Sequence, residues 1–192
     1  MSANLVVITG PSGAGKTELS HKLMELGVVK KVISCTTRTP RPGEIDGKDY
    51  LFFSREEFLT RVENGEFVEY AEVYGNLYGT LYADLDREIA SGEVVMLVMD
   101  YQGLIRVASL YPDAQTFFLV APIRDLERRL NERKMNEAER QKRISAFARE
   151  LTDARSPFVR HIVDNSDGSF EHALRRICGI IAAKGDHSAH VD

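Results

Sequence analysis

Apolar residues fall in short runs divided by glycine, proline and charged turns, and their spacing switches repeatedly between strand-like and helix-like. Leu5-Val6-Val7-Ile8-Thr9 is a β-branched run ending at Gly10, the pattern of a buried strand. Lys16 to Leu26 then carries apolar residues at helical spacing. Val32 to Cys35 reads as a second short strand, and Thr36 to Asp49, with two prolines and two glycines, as a loop. Tyr50 to Phe53 is short and apolar. Ser54 and Glu57 have capping-box spacing, which predicts a helix ending near Gly65. Phe67 to Tyr74 alternates as a strand, and Asp84 to Ala90 predicts a short helix. Val94 to Met99 and Gln115 to Val120 are apolar runs that fit central parallel strands. Ile123 to Glu132 and Glu137 to Ala154 are charged amphipathic helices, His161 to Val163 a last strand and Phe170 to Ala183 a last helix. The tail from Lys184 to Asp192 is expected to fray.

Strands alternating with helices predict an α/β fold, a parallel sheet flanked by helices on both faces. Residues 34–81 break that rhythm and predict a small inserted subdomain. The whole chain, residues 1–192, reads as one domain: 192 residues that are 43% hydrophobic suffice for one compact core. Ligands of such sheets sit at the carboxyl ends of the strands, where Gly10, Ser34 and Asp100 are expected.

Charge and composition narrow the classes of function. A net charge of -4 without a clustered basic face argues against nucleic acid or a membrane surface as partner. No apolar run approaches the roughly 20 residues of a membrane span. Met1-Ser2-Ala3-Asn4 lacks the basic and apolar regions of a signal peptide, so a cytoplasmic protein is expected. Cys35 and Cys178 then read as reduced thiols, and the five histidines lack zinc-ligand spacing.

Gly10-Pro11-Ser12-Gly13-Ala14-Gly15-Lys16-Thr17 matches the phosphate loop G-x-x-x-x-G-K-[ST] and sits where its mechanism needs it, between an apolar strand and a helix. Glycines let backbone N–H groups turn inward as an anion nest, and the helix N-terminus adds positive potential. Lys16 would reach the β- and γ-phosphates of ATP, and the Thr17 hydroxyl would hold Mg²⁺. The loop names a nucleoside triphosphate and leaves the second substrate open.

That substrate is sought in Ser34-Cys35-Thr36-Thr37-Arg38-Thr39-Pro40-Arg41-Pro42-Gly43-Glu44, where two arginines stand three apart in a proline-stiffened loop. Arginine forks match phosphate oxygens. This segment, with Asp46-Gly47, Asp49-Tyr50, Glu69-Tyr70-Ala71-Glu72-Val73, Gly75-Asn76-Leu77-Tyr78-Gly79-Thr80 and Asp100-Tyr101-Gln102-Gly103, resembles the guanylate kinase family. The resemblance spans nearly the whole chain and is densest up to Gly103.

It implies a P-loop kinase that transfers a phosphoryl group from ATP, with Mg²⁺, to GMP and to dGMP. Arg38, Arg41, Tyr50 and Tyr78 would hold the GMP phosphate. Ser34, Glu69 and Thr80 would read the guanine, with Asp100 beside them. The choice of a carboxylate is chemically apt: guanine presents adjacent N1–H and N2–H₂ donors that one carboxylate accepts together, and adenine presents no such pair. The resemblance also implies a helical lid at about residues 123–150, with Arg133 and Arg143 at the best-matching positions beside Lys16 and Arg38 in catalysis. Asn165 would lie near the adenine, with Asp164 competing for that place.

Helix spacing offers simpler partners for the lid arginines, in i,i+4 pairs such as Asp125–Arg129 and Glu139–Arg143. Two positions depart from the family pattern. Val98 replaces a carboxylate two residues before Asp100, and Arg133-Lys134-Met135-Asn136 is a shortened lid turn. The alternatives are a kinase for another phosphorylated small molecule and a non-catalytic binding module of the same fold.

Overall fold

The structure is a computed structural model that describes residues 4–133 and 135–187. The chain runs β1 (Leu5–Thr9), α1 (Lys16–Glu25), β2 (Lys30–Lys31), β3 (Cys35–Thr36), β4 (Leu51–Phe52), α2 (Arg55–Glu63), β5 (Phe67–Val73), β6 (Asn76–Leu81) and α3 (Tyr82–Ile89). It continues through β7 (Val95–Val98), α4 (Tyr101–Leu110), β8 (Gln115–Val120), α5 (Ile123–Asn131), α6 (Glu137–Thr152), β9 (His161–Asp164) and α7 (Phe170–His187).

Two sheets result. A parallel sheet has the order β2-β7-β1-β8-β9, with β1 at its centre between β7 and β8. All five residues of β1 are buried. Alternation along it explains the layers on either side. Val6 and Ile8 pack with Leu19 and Leu23 of α1, Leu126 of α5, Phe147 of α6 and Ile177 of α7. Leu5 and Val7 pack with Leu85 of α3 and with Leu104 and Val107 of α4. The second sheet, β4-β3-β6-β5, lies within residues 35–81 and has its own core of Cys35, Phe58, Phe67, Leu77 and Leu81. Phe58 of α2 stacks on Phe67 with ring centroids 4.4 Å apart.

The predicted strand over Val32–Cys35 is corrected. The chain changes sheets there: Val32 still donates to the Met96 carbonyl, whereas the Ser34 carbonyl accepts from Leu51 of the other sheet. Two dipeptide strands, β2 and β3, replace one. The strand predicted to reach Tyr74 stops at Val73, because Tyr74 (φ 51°) and Gly75 (φ 83°) form the two-residue turn into β6. Helix α4 lies where no element was predicted, with Asp100 at its N-cap accepting from the Gly103 amide at 2.9 Å. Helix α7 continues through His187, beyond its expected end at Ala183. The tail beyond it, like Met1–Ala3 and Lys134, lies outside the described residues. The Ser54 cap forms as predicted, accepting from the Glu57 amide at 3.0 Å.

Candidate active site

The motif from Gly10 to Thr17 leaves β1 as a loop and runs into the first turn of α1. Its three glycines hold positive φ: 138° at Gly10, 88° at Gly13 and 89° at Gly15. Helix α1 starts after Gly15 with no side-chain cap, so its first amides are available to an anion. Lys16 folds back over the loop, donating to the Gly10 carbonyl at 2.5 Å and to that of Pro11 at 3.0 Å. Burial lowers its pKa to about 8, with the Glu150 carboxylate as the main opposing charge. Thr17 stands exposed at the loop's mouth.

Asn165, just after β9, closes one side of the loop. It is 3% exposed and its Nδ2 donates to the Ala14 carbonyl at 2.8 Å. A side chain at position 15 would place its Cβ 2.3 Å from that nitrogen, so glycine is required there for space as well as for φ. Asn165 Oδ1 is buried and unpartnered among the described residues. Asp164 is exposed and turns back to Ser166, so the asparagine is the residue at the loop.

The predicted Asp125–Arg129 pair is also corrected. Arg129 donates to the carbonyls of Gly13, at 3.2 Å, and Asn165, at 2.8 Å, and it pairs with Asp167. Asp125 instead accepts from the Asp167 amide at 3.0 Å. A surface i,i+4 pair contributes only about 0.3–0.5 kcal/mol, and part-buried carbonyls and a two-arginine clamp with Arg128 outcompete it. Arg129 is a site residue that sequence reasoning missed, because nothing in local spacing tells where Asp167 lies.

A second cleft opens beside Lys16 and Thr17, lined by Ser34, Tyr50, Glu69, Tyr78, Val98 and Asp100. Glu69, on β5, is 7% exposed. One of its oxygens accepts from Thr80 on β6 at 2.8 Å. The other lies against α4, where a Cβ at Gly103 would come within 2.8 Å. Gly103 therefore makes room for this carboxylate. Burial pushes the carboxyl up to about 7; Thr80 pulls it down and Asp100 raises it further.

At the outer end of the cleft the rings of Tyr50 and Tyr78 meet edge to face, 6.2 Å between centroids. The Arg38 guanidinium lies 5.5 Å from the Tyr50 ring. Glu44 orients that guanidinium through contacts of 2.8 and 3.0 Å and also accepts from the Arg41 amide at 2.7 Å. The Arg41 side chain is exposed on the same loop.

From the other side, Arg143 of α6 donates to the Ser12 hydroxyl at 2.9 Å while keeping its predicted partner Glu139, at 2.6 Å. Arg133 follows α5. Desolvation, then the like charges of Arg41 and Arg143, lower its pKa. Cations gathered in this way suit an anion.

The family model for guanylate kinase matches residues 2–184. The guanylate kinase of Hahella chejuensis is 41% identical over 183 residues, 94% of this chain and 86% of that one. That of Methylobacillus flagellatus is 39% identical over 190 residues, 96% and 91% of the two chains. The crystal structure of guanylate kinase from Anaplasma phagocytophilum superposes with a TM-score of 0.75 at 28% identity, covering 96% of this chain and 87% of that one. Among the described residues no helix is long and apolar enough to cross a membrane. With a glycine loop of the phosphate-loop pattern, a buried carboxylate beside it and a family match over residues 2–184, the chain belongs to the guanylate kinase family.

Proposed function

We propose that this protein phosphorylates GMP with ATP, and that the residues gathered in the two clefts divide the work. The observation that carries the reading is Glu69: a carboxylate buried beside a phosphate loop, anchored by Thr80, with room made by Gly103. A phosphorylated sugar or a peptide would have no use for a buried acceptor pair matched to two adjacent donors. Ser34 and Thr80 complete the base site, and Arg38, Arg41, Tyr50 and Tyr78 receive the acceptor's phosphate. The loop and Lys16 take the β- and γ-phosphates, and Asn165 lies on the adenine side. Helix α6 with the turn before it is the lid, bringing Arg133 and Arg143 over the transferred group.

The acceptor oxygen of GMP is already ionised at neutral pH, because its second pKa is about 6. No general base is needed, and the residues' task is to align two polyanions and neutralise charge as it moves. Lys16 and Arg143 act on the donor side, and Arg38 and Arg41 on the acceptor side. Thr17 and Asp100, oxygen donors facing the same cleft, suit Mg²⁺, which keeps several waters and is held by one or two protein groups plus phosphates. When bound with ATP, the ion supplies positive charge to the phosphate oxygens.

The test is ADP release with ATP and Mg²⁺ against GMP, dGMP, AMP, CMP, UMP and no acceptor. Stimulation by guanine nucleotides alone is expected; stimulation by none of them in folded, ATP-binding protein overturns the reading. Val98, half-buried at the end of β7 beside Asp100, gives a second check. Val98→Asp adds an oxygen ligand near Thr17, so turnover equal to or above that of the unaltered protein is expected. A sharp loss in a folded variant would mean that the cleft is built around valine.

A further inference from the structure

The turn between β5 and β6 carries a residue that turn geometry does not favour. Two-residue hairpin turns with both φ values positive select Asn-Gly or Gly-Gly, because a Cβ is strained in the left-handed region. Here the first position is Tyr74, at φ 51°. A strained aromatic residue persists where its surroundings hold it, and these surroundings come from α6. The Tyr74 hydroxyl donates to Glu150 Oε1 at 3.1 Å. Its ring lies under the Arg143 guanidinium, 4.4 Å from the centroid, with the Lys142 ammonium at 5.7 Å. Arg143 and Glu150 are seven residues apart, on one face of the helix. The same Arg143 donates to Ser12 in the phosphate loop. One side chain from the acceptor-binding sheet thus supports the arginine that touches the ATP-binding loop.

We propose that Tyr74 is a positioning residue that locks the tip of the β5–β6 hairpin onto α6. Through it, seating guanine on Glu69, five residues back in the same hairpin, fixes Arg143 against the loop that holds ATP. This rests on the kinase reading above. The ring supplies a flat face of negative potential that fixes the guanidinium, and the hydroxyl anchors the ring to the next turns of the helix. The lid is then complete only when the acceptor side is in place, so ATP without acceptor meets an imperfectly placed arginine.

Tyr74→Asn suits the turn and relieves its backbone, so the variant should fold with an undiminished melting temperature. Its kcat with GMP should fall about tenfold while KM for GMP stays within about twofold. Tyr74→Phe, which keeps the ring over Arg143, should recover most of that kcat. In an Arg143→Met background, Tyr74→Asn should have no further effect. An unchanged kcat for Tyr74→Asn, or the same tenfold loss with Arg143 already removed, overturns the proposal. If the unaltered protein does not act on GMP, the kinase reading fails, and the interlock is decided separately by hydrogen exchange. Amides 137–152 of Tyr74→Asn should exchange faster than those of the unaltered protein, and equal rates refute it.

Discussion

Lys16→Met is expected to leave a folded protein whose kcat/KM for phosphoryl transfer is about a thousandfold lower, the scale of removing one preorganised charge-stabilising donor. The fold should tolerate the change, because Lys16 contributes hydrogen bonds to two loop carbonyls and no core packing. The catalytic loss should be large because the ammonium is the loop's only charged side chain and, in the proposed mechanism, meets the group that moves. A pH series separates this role from packing. Burial holds the Lys16 pKa at about 8, so in the free protein its charge fades as pH rises through 8. ATP affinity of the unaltered protein should therefore weaken between about pH 8 and 9, and that of Lys16→Met should not follow. Circular dichroism and a coupled ADP assay settle both points; a folded variant with near-normal turnover would remove Lys16 from the mechanism.

Glu69→Gln should lower the preference for GMP over AMP by about a hundredfold. An amide accepts from one guanine donor but turns its own NH₂ toward the other. Toward adenine, which has an acceptor at N1, the same NH₂ becomes a partner. Thr80 keeps an oxygen to bond, so the loss is one of recognition rather than folding. Stability should move the other way. A carboxyl raised to about 7 from 4.5 stays protonated in the folded protein while the unfolded chain ionises. The unfolded state then binds fewer protons, and stability of the unaltered protein falls as pH rises from about 4.5 to 7. Denaturant titrations of the two proteins should diverge in that window, with Glu69→Gln flatter. Unchanged selectivity in the acceptor panel would remove Glu69 as the base reader.

What was legible in the sequence is what short-range chemistry determines. The apolar run of β1 and the eight-residue loop after it specify strand, nest and helix start within one stretch. Ser54 and Glu57 specify the α2 cap across three residues. What escaped depends on distant partners. The dipeptide strands β2 and β3 exist only because β7 and the pair β4 and β6 meet them. Helix α4 escaped although Asp100 and Gly103 form its cap and Leu104 and Val107 its buried face, because those first residues also carry a ligand-binding pattern. Among site residues, Glu69, Thr80 and Ser34 were named from their motifs; the structure puts Ser34 and Glu69 in one cleft and Thr80 in a hydrogen bond to Glu69. Arg129 and Tyr74 act across the chain on groups that no local period reveals.

The register of the parallel sheet also has a consequence for how the chain is made. Strand β1 emerges first in synthesis, yet its partners are β7, starting at Val95, and β8, starting at Gln115. The β5–β6 pair, by contrast, is closed by a two-residue turn, so its contacts cost little loop entropy and can form early. The phosphate loop is therefore made well before the strands and the asparagine that wall it. Until residue 98 is available, the apolar strand ahead of it has no ladder to join, and its second neighbour follows only with β8.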